Sequence, residues 1–307
     1  MTPAFRYFGG KGRLAPWIVS LIPPHVSYIE PFFGAGSVLL NKPISRHELI
    51  NDLDGNVINF YRVLRDDLDA LVEACRLTPY ARDEFNYCKW TAYAEDPHGF
   101  GPLAPVEAAR RFFTVVSQSF ACTTGSASGW SASTHKNVNR AKSTQHYVDR
   151  FEQVADRLRM CMIENTDAER VINLYARAES VVYLDPPYVH STRGDTNGGH
   201  GYRHEMTNDA HEQLSVAAHA TEATVLLSGY SSDLYDELYA DWHRTDRATY
   251  STVAGIALDS DDIKTARTEV LWSNRPIGGQ RRLFEGAVPA TVPIPASDLS
   301  AGQDSGL

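Results

Sequence analysis

The chain has 307 residues, 43% of them hydrophobic, and a net charge of −9, a balance that supports a sizeable buried core with room for an insertion and excludes a disordered chain. No apolar run reaches the roughly 18 residues that span a bilayer, and no basic stretch followed by an apolar core marks a leader, so the expectation is a cytoplasmic protein with no membrane contact. The four cysteines, Cys75, Cys88, Cys122 and Cys161, form no C-x-x-C pair and no zinc-like spacing to histidine, which predicts free thiols and no metal; the acidic balance disfavours indiscriminate nucleic-acid binding but permits a local basic groove.

Near the start, Phe5-Arg6-Tyr7-Phe8-Gly9-Gly10-Lys11-Gly12 sets aromatic residues before a glycine pair and a lysine. An apolar helical stretch over Leu14–Ile22 follows. Glycines let a backbone approach a ligand closely; the competing reading is a loop over the core with Lys11 in solvent. The segment from Ser27 to Asn41 reads as a short strand that runs through Gly34-Ala35-Gly36 into a helix. Such a unit holds a nucleotide-like ligand because neither glycine has a side chain to block it, and the lack of a third glycine at the dinucleotide spacing weighs against a pyrophosphate. The segment from His47 to Asp54 reads as a second strand ending in carboxylates, eighteen residues beyond Gly34, where an acid can accept both hydroxyls of a ribose. Asp52 is the choice for that role and Asp54 for the cap of a helix over 55–65, with an exchange of the two left open.

About 130 residues separate Asp52 from Asp185, roughly twice what one more strand and its flanking helices require, so an insertion is expected over 75–150. Within it, residues 110–119 read as helical, and the stretch 134–143 reads as a loop rich in Lys, Arg, Asn, Ser and Thr. Lys136, Arg140 and Lys142 there suit contacts to phosphates and base edges, against the plainer reading of a solvated surface. A helix near 147–159 precedes a third strand over 160–164; Asp167 lies just past it, at the N-cap position of a helix over 168–176.

The run Ser180-Val181-Val182-Tyr183-Leu184 reads as a buried strand that stops on Asp185-Pro186-Pro187-Tyr188. Two prolines cannot extend a ladder and fix their own φ, so the turn aims the Asp185 carboxylate, the Pro186 carbonyl and the Tyr188 ring at one cleft. The polar stretch from His190 to Glu205, with Arg193 and Arg203, reads as a lid facing a polyanion. A helix over 208–221 and strands over 224–228 and 269–272 complete the sheet. From Gly286 onward Pro, Ala, Ser and Gly dominate, the composition of a disordered tail.

Taken together, Y-F-G-G-K at 7–11, E-P-F-F-G-A-G-S at 30–37, Asp52 and D-P-P-Y at 185–188 resemble the motifs of the Dam-like (D12 class, alpha-group) DNA adenine-N6 methyltransferases of bacteria and phages, with Tyr7 where the family usually has Trp. The resemblance implies an α/β, Rossmann-like S-adenosylmethionine-dependent methyltransferase fold with an inserted target-recognition subdomain, in a bacterial or phage-infected cell. On its pattern the cofactor part covers 1–74, the recognition region 75–150, the catalytic part 151–279 and the tail 280–307. It implies S-adenosylmethionine held by Tyr7, Lys11, Glu30, Gly34, Gly36, Asp52, Asp167 and Asp185, catalysis by Asp185, Pro186 and Tyr188 on an adenine flipped out of double-stranded DNA, and no metal. Two rivals stay open: an amino-methyltransferase acting on RNA adenine, cytosine N4 or a protein amide, and a DNA-binding relative without turnover. The pattern Q-x-x-L-F at Gln280, Leu283 and Phe284 looks like the peptide by which bacterial proteins hold the DNA sliding clamp, against the simpler reading of an apolar pair covering the sheet.

Overall fold

The computed structural model describes residues 1–92, 103–122, 129–132, 139–192, 202–251 and 265–277. Its strands are β1 (Ser27–Glu30), β2 (His47–Asn51), β3 (Met162–Glu164), β4 (Ser180–Leu184), β5 (Thr224–Gly229), β6 (His243–Ser251) and β7 (Thr265–Ser273). They form one sheet of order β3-β2-β1-β4-β5-β7-β6 in which β7 alone runs against the others. The helices are α1 (Ala15–Leu21), α2 (Ser37–Asn41), α3 (Gly55–Asp66), α4 (Leu68–Leu77), α5 (Arg82–Ala92), α6 (Pro105–Gln118), α7 (Arg140–Val148), α8 (Phe151–Leu158), α9 (Ala168–Tyr175), α10 (Asn208–Ala220) and α11 (Asp233–Leu238).

Every residue of β4 and β5 is buried, which is why both read as unbroken apolar runs: helices cover both faces of a parallel sheet. The two-residue alternation of a strand then deals its side chains to two cores. Val181 and Tyr183 join Phe60, Tyr61, Phe112, Phe113 and Phe151 on one face, while Val182 and Leu184 join Leu214, Ala218, Tyr235 and Trp272 on the other. Helix α6 of the inserted stretch contributes Phe112 and Phe113 to the first core, where they meet the Phe60 ring of α3 at centroid distances of 5.9 and 6.1 Å. Cys75, Cys88 and Cys161 are buried free thiols, and burial pushes each up to about 12, so they stay protonated and inert.

Two expectations need correction. Arg140 and Lys142 lie on the first turn of α7 and not in a loop, because Asn139 caps that helix by accepting the Lys142 N–H at 2.9 Å. The single helix expected near 147–159 is two, α7 and α8, parted at Asp149 and Arg150. Strand β6 was not foreseen: its sequence HRTDRATYS is polar because it is an edge strand paired with β7 alone. Among the described residues no helix is long and apolar enough to cross a membrane.

Strand order reverses between β1 and β4, which are neighbours. The chain leaves these two strands in opposite directions across the sheet, opening a crevice beyond their carboxyl ends. The glycine turn follows β1 and Asp185 follows β4, so both main motifs meet there.

Candidate active site

The turn after β1 is built for close approach. Gly34 (φ +47°) and Gly36 (φ +66°) both adopt the left-handed conformation. A Cβ on Gly34 would lie 2.9 Å from the Tyr7 ring, and one on Gly36 2.3 Å from the Phe33 ring. Asp52, just past β2, holds the turn from below: one carboxylate oxygen accepts the Gly34 N–H at 2.8 Å and the other the Asp54 N–H at 2.9 Å. The Tyr61 hydroxyl donates to the Gly34 carbonyl at 3.1 Å. Burial pushes the Asp52 carboxyl up to about 7 against the pull of those N–H donors. Glu30, at the end of β1, accepts from the Tyr28 hydroxyl at 2.8 Å and the Leu39 N–H at 3.1 Å, and burial lifts it to about 8.

Asp54 caps α3 as expected, with one oxygen accepting the Asn56 N–H at 2.9 Å. Its other oxygen is buried without a hydrogen-bond partner among the described residues, at the rim of the same cleft. Arg203 lies 3.7 Å from the capping oxygen. The opposite wall comes from residues 202–206: the Tyr202 hydroxyl occupies the space a Cβ on Gly9 would need, and the Tyr202 ring packs edge-on against Phe8 at 5.1 Å.

At the far end of the cleft, Lys11 is 6% exposed and its ammonium donates to Asp185 Oδ1 at 2.6 Å and to the Gly9 carbonyl at 3.1 Å. The Ser228 hydroxyl donates to the same Asp185 oxygen at 3.0 Å, so among the described residues Asp185 Oδ2 receives nothing. The Lys11 ammonium also sits 3.7 Å from Glu269 and 4.7 Å from the centroid of the Tyr188 ring. The Tyr188 hydroxyl donates to Glu269. Burial acts to strip the proton from Lys11, but the charges of Asp185 and Glu269 outweigh it and hold the lysine more firmly cationic than in water.

The structure therefore brings Tyr7, Lys11, Glu30, Gly34, Gly36, Asp52 and Asp185 to one cleft, with Arg203 at its mouth and not on a separate outer face. Pro186 is buried directly behind Asp185. Asp167 is not brought in: it is exposed at the N-cap of α9 and lines no part of the cleft. Nearby, the Asn165 amide donates to the Asp52 carbonyl at 2.7 Å and ties the end of β3 to that of β2. Arg140 and Lys142 sit on α7, the guanidinium Nε of Arg140 buried without a partner among the described residues and Lys142 exposed. Lys136, Arg193, Gln280, Leu283 and Phe284 lie outside the described residues. Sequence reasoning missed Ser228 and Glu269; the available signal was a carboxylate opening the apolar run Glu269-Val270-Leu271-Trp272.

A sheet of this order, with a glycine turn after β1, a ribose-type acid after β2 and a half-buried Asp-Pro-Pro-Tyr turn after β4, defines a Rossmann-like S-adenosylmethionine-dependent methyltransferase fold. Comparison narrows the class: residues 7–253 match the model of the D12 class N6 adenine-specific DNA methyltransferases, and the chain belongs to that family. It is 27% identical over 262 residues to the Type II methyltransferase M1.LlaDCHI of Lactococcus lactis subsp. cremoris, covering 79% of this chain and 86% of that protein. It is 26% identical over 190 residues to a DNA adenine methylase of Haemophilus influenzae, covering 61% of this chain and 64% of the relative. It is also 25% identical over 243 residues to the DNA N-6-adenine-methyltransferase of Escherichia phage P1, covering 77% of this chain but 31% of that longer protein. The activity is transfer of a methyl group from S-adenosylmethionine to N6 of adenine in DNA.

Proposed function

We propose that Asp185, Pro186 and Tyr188 carry out this transfer on an adenine rotated out of double-stranded DNA, while Tyr7, Lys11, Glu30, Gly34, Gly36, Asp52 and Asp54 hold the methyl donor. The residues fit that donor. The side-chain-free turn accepts its amino-acid end, and Asp52 with the unsatisfied oxygen of Asp54 offers acceptors to the ribose hydroxyls. When bound, S-adenosylmethionine supplies a methyl group already activated by its sulfonium.

The observation that carries the reading is the division of labour on Asp185. Lys11 and Ser228 both donate to Oδ1, so the carboxylate is clamped in one orientation and Oδ2 is left for substrate. The N6 lone pair of adenine is delocalised into the ring and is a poor nucleophile. Asp185 Oδ2 and the Pro186 carbonyl accept the two amino hydrogens, turn the lone pair toward the methyl and offer the departing proton a carboxylate. Orientation and charge complementarity supply the rate. An amino group inside a duplex cannot reach a cleft this deep in the sheet, so the base is extruded and stacks on Tyr188, at a cost of about a few kcal/mol that stacking and phosphate contacts offset.

Asp185→Ala is expected to remove methyl transfer to DNA while S-adenosylmethionine still binds, measured by labelled-methyl incorporation and titration calorimetry. Turnover above roughly a tenth of wild type, less than the loss expected when an orienting acceptor goes, would sink the assignment. The stretch 75–150 supplies target recognition in this reading, and the bacterial and phage relatives support a site of action in the cytoplasm. The segment Gln280, Leu283 and Phe284 is proposed to hold the DNA sliding clamp, on its sequence pattern alone. Leu283→Ala with Phe284→Ala should then abolish binding to purified clamp and leave methylation of free DNA unchanged; a wild-type chain that fails to bind ends the idea.

A further inference from the structure

Glu269 is 3% exposed and lies on β7, an inner strand of the sheet that carries the cleft. Its position follows from topology. Because β7 runs against β5, with Val270 opposite Gly229, the first half of β7 lies at the carboxyl ends of the parallel strands, where Asp185 also emerges. A strand buried at this depth gains nothing in packing from a carboxylate, and removing one from water costs several kcal/mol unless it is paired. Glu269 is paired twice, with the Tyr188 hydroxyl and with the Lys11 ammonium at 3.7 Å.

These two partners are the ring proposed to stack the base and the cation that clamps Asp185. The Tyr188 ring is fixed at three points: the hydroxyl by Glu269, one face by Lys11 at 4.7 Å, and an edge by Tyr230 at 4.7 Å with an interplanar angle of 75°. Among the described residues the hydrogen bond to Glu269 is the one that engages the hydroxyl at the tip of the ring. Burial, with Asp185 and Glu269 close by, keeps the Tyr188 hydroxyl protonated, so it remains the donor of that bond.

We infer that Glu269 is a positioning residue for base capture: by accepting from the Tyr188 hydroxyl while facing Lys11, it sets the plane on which the extruded adenine lands and ties that plane to the clamp on Asp185. This rests on the reading of Tyr188 as the stacking residue. Glu269 is not among the residues that line the cleft, so its effect passes through the ring.

The test uses the full-length enzyme and a duplex in which 2-aminopurine replaces the adenine that wild type methylates, located beforehand by modification-sensitive sequencing. The probe brightens on leaving the helix and is quenched when it stacks on an aromatic ring. Glu269→Leu, which removes the acceptor, and Tyr188→Phe, which removes the donor, should each lose most of the quench and lower kcat about 10-fold, the scale of a misoriented substrate. The double variant should be no worse than either single one, because both remove the same bond. Glu269→Gln keeps an acceptor and should restore the quench, and Tyr188→Phe, which leaves the charges around Lys11 in place, should keep S-adenosylmethionine affinity unchanged. A wild-type quench in Glu269→Leu, or losses that multiply in the double variant, overturns the inference. If Glu269→Leu does not fold, Tyr188→Phe reads the same bond from its other end, and a wild-type quench there is equally fatal. Tyr188→Ala separates the two layers: a quench that survives it removes the stacking reading itself, whereas a quench lost there but kept in Glu269→Leu removes only the role of Glu269.

Discussion

At Gly36 the backbone stands at φ +66° and the Phe33 ring fills the space where a side chain would begin. An alanine there meets two penalties, the left-handed conformation at about 1–2 kcal/mol and the displacement of a ring that is itself buried against Tyr61. Gly36→Ala should therefore lower the denaturation midpoint and weaken S-adenosylmethionine binding together; a variant as stable as wild type with unchanged affinity would show that the turn is not shaped by that contact. Residues of this kind were legible because backbone demands leave compositional marks: glycine at left-handed positions, a proline pair closing a strand, a lysine after paired glycines. Ser228 and Glu269 left weaker marks. Their roles depend on which strands lie side by side, and nothing local in either segment states that β5 neighbours β4 or that β7 runs backwards.

Helix α7 shows the same limit at the scale of an element. Its polar composition reads as a loop, but the Asn139 cap and the buried Thr144 and Val148 make it a helix lying over the inserted stretch. That geometry sets the exposed Lys142 and the half-buried Arg140 on one helical turn but in different directions around it, each fixed in a way that a loop would not impose. Replacing Arg140 and Lys142 by Ala together with Lys136 should weaken DNA binding and flatten the slope of log affinity against log salt by about one unit for each lost phosphate contact. Cofactor affinity should hold. An unaltered slope would move the phosphate contacts to another surface. Strand β6 was invisible for the opposite reason: an edge strand with solvent on its outer side carries no apolar alternation to detect.

Across the whole molecule, three carboxylates, two of them buried and Asp52 half-buried, make stability respond to pH in opposite senses. Glu30 and Asp52 are lifted by burial to about 8 and about 7, from 4.5 and 3.8. The folded chain therefore keeps protons that the unfolded chain has released, and this contribution is complete below the lower values and is lost as pH rises through the upper ones. Glu48 is the reverse. Burial raises it, but Arg157 and Lys42 prevail and bring it to about 2, so its contribution is present above 4.5 and lost as pH falls through 2. The thermal midpoint should decline between pH 5 and pH 9, and Glu30→Gln should flatten the upper part of that decline; parallel curves for the two proteins would assign the loss to other groups. At this scale the layer architecture and the parallel half of the sheet could be read from alternating apolar and glycine-marked segments. The reversal at β7 could not, since an antiparallel strand inserted between β5 and β6 has the same local pattern as a parallel one.

The burial of Lys11 bears on the order in which the protein is made. Its ammonium is enclosed by Asp185 and Glu269, which leave the ribosome long after it does. Until β7 has emerged, the lysine has one countercharge at most and the Tyr188 hydroxyl lacks its acceptor, so the catalytic end of a growing chain is among the last parts to be completed. A chain truncated before β7 should therefore lose methyl transfer to DNA, since it lacks the Glu269 carboxylate that faces Lys11 and accepts from Tyr188.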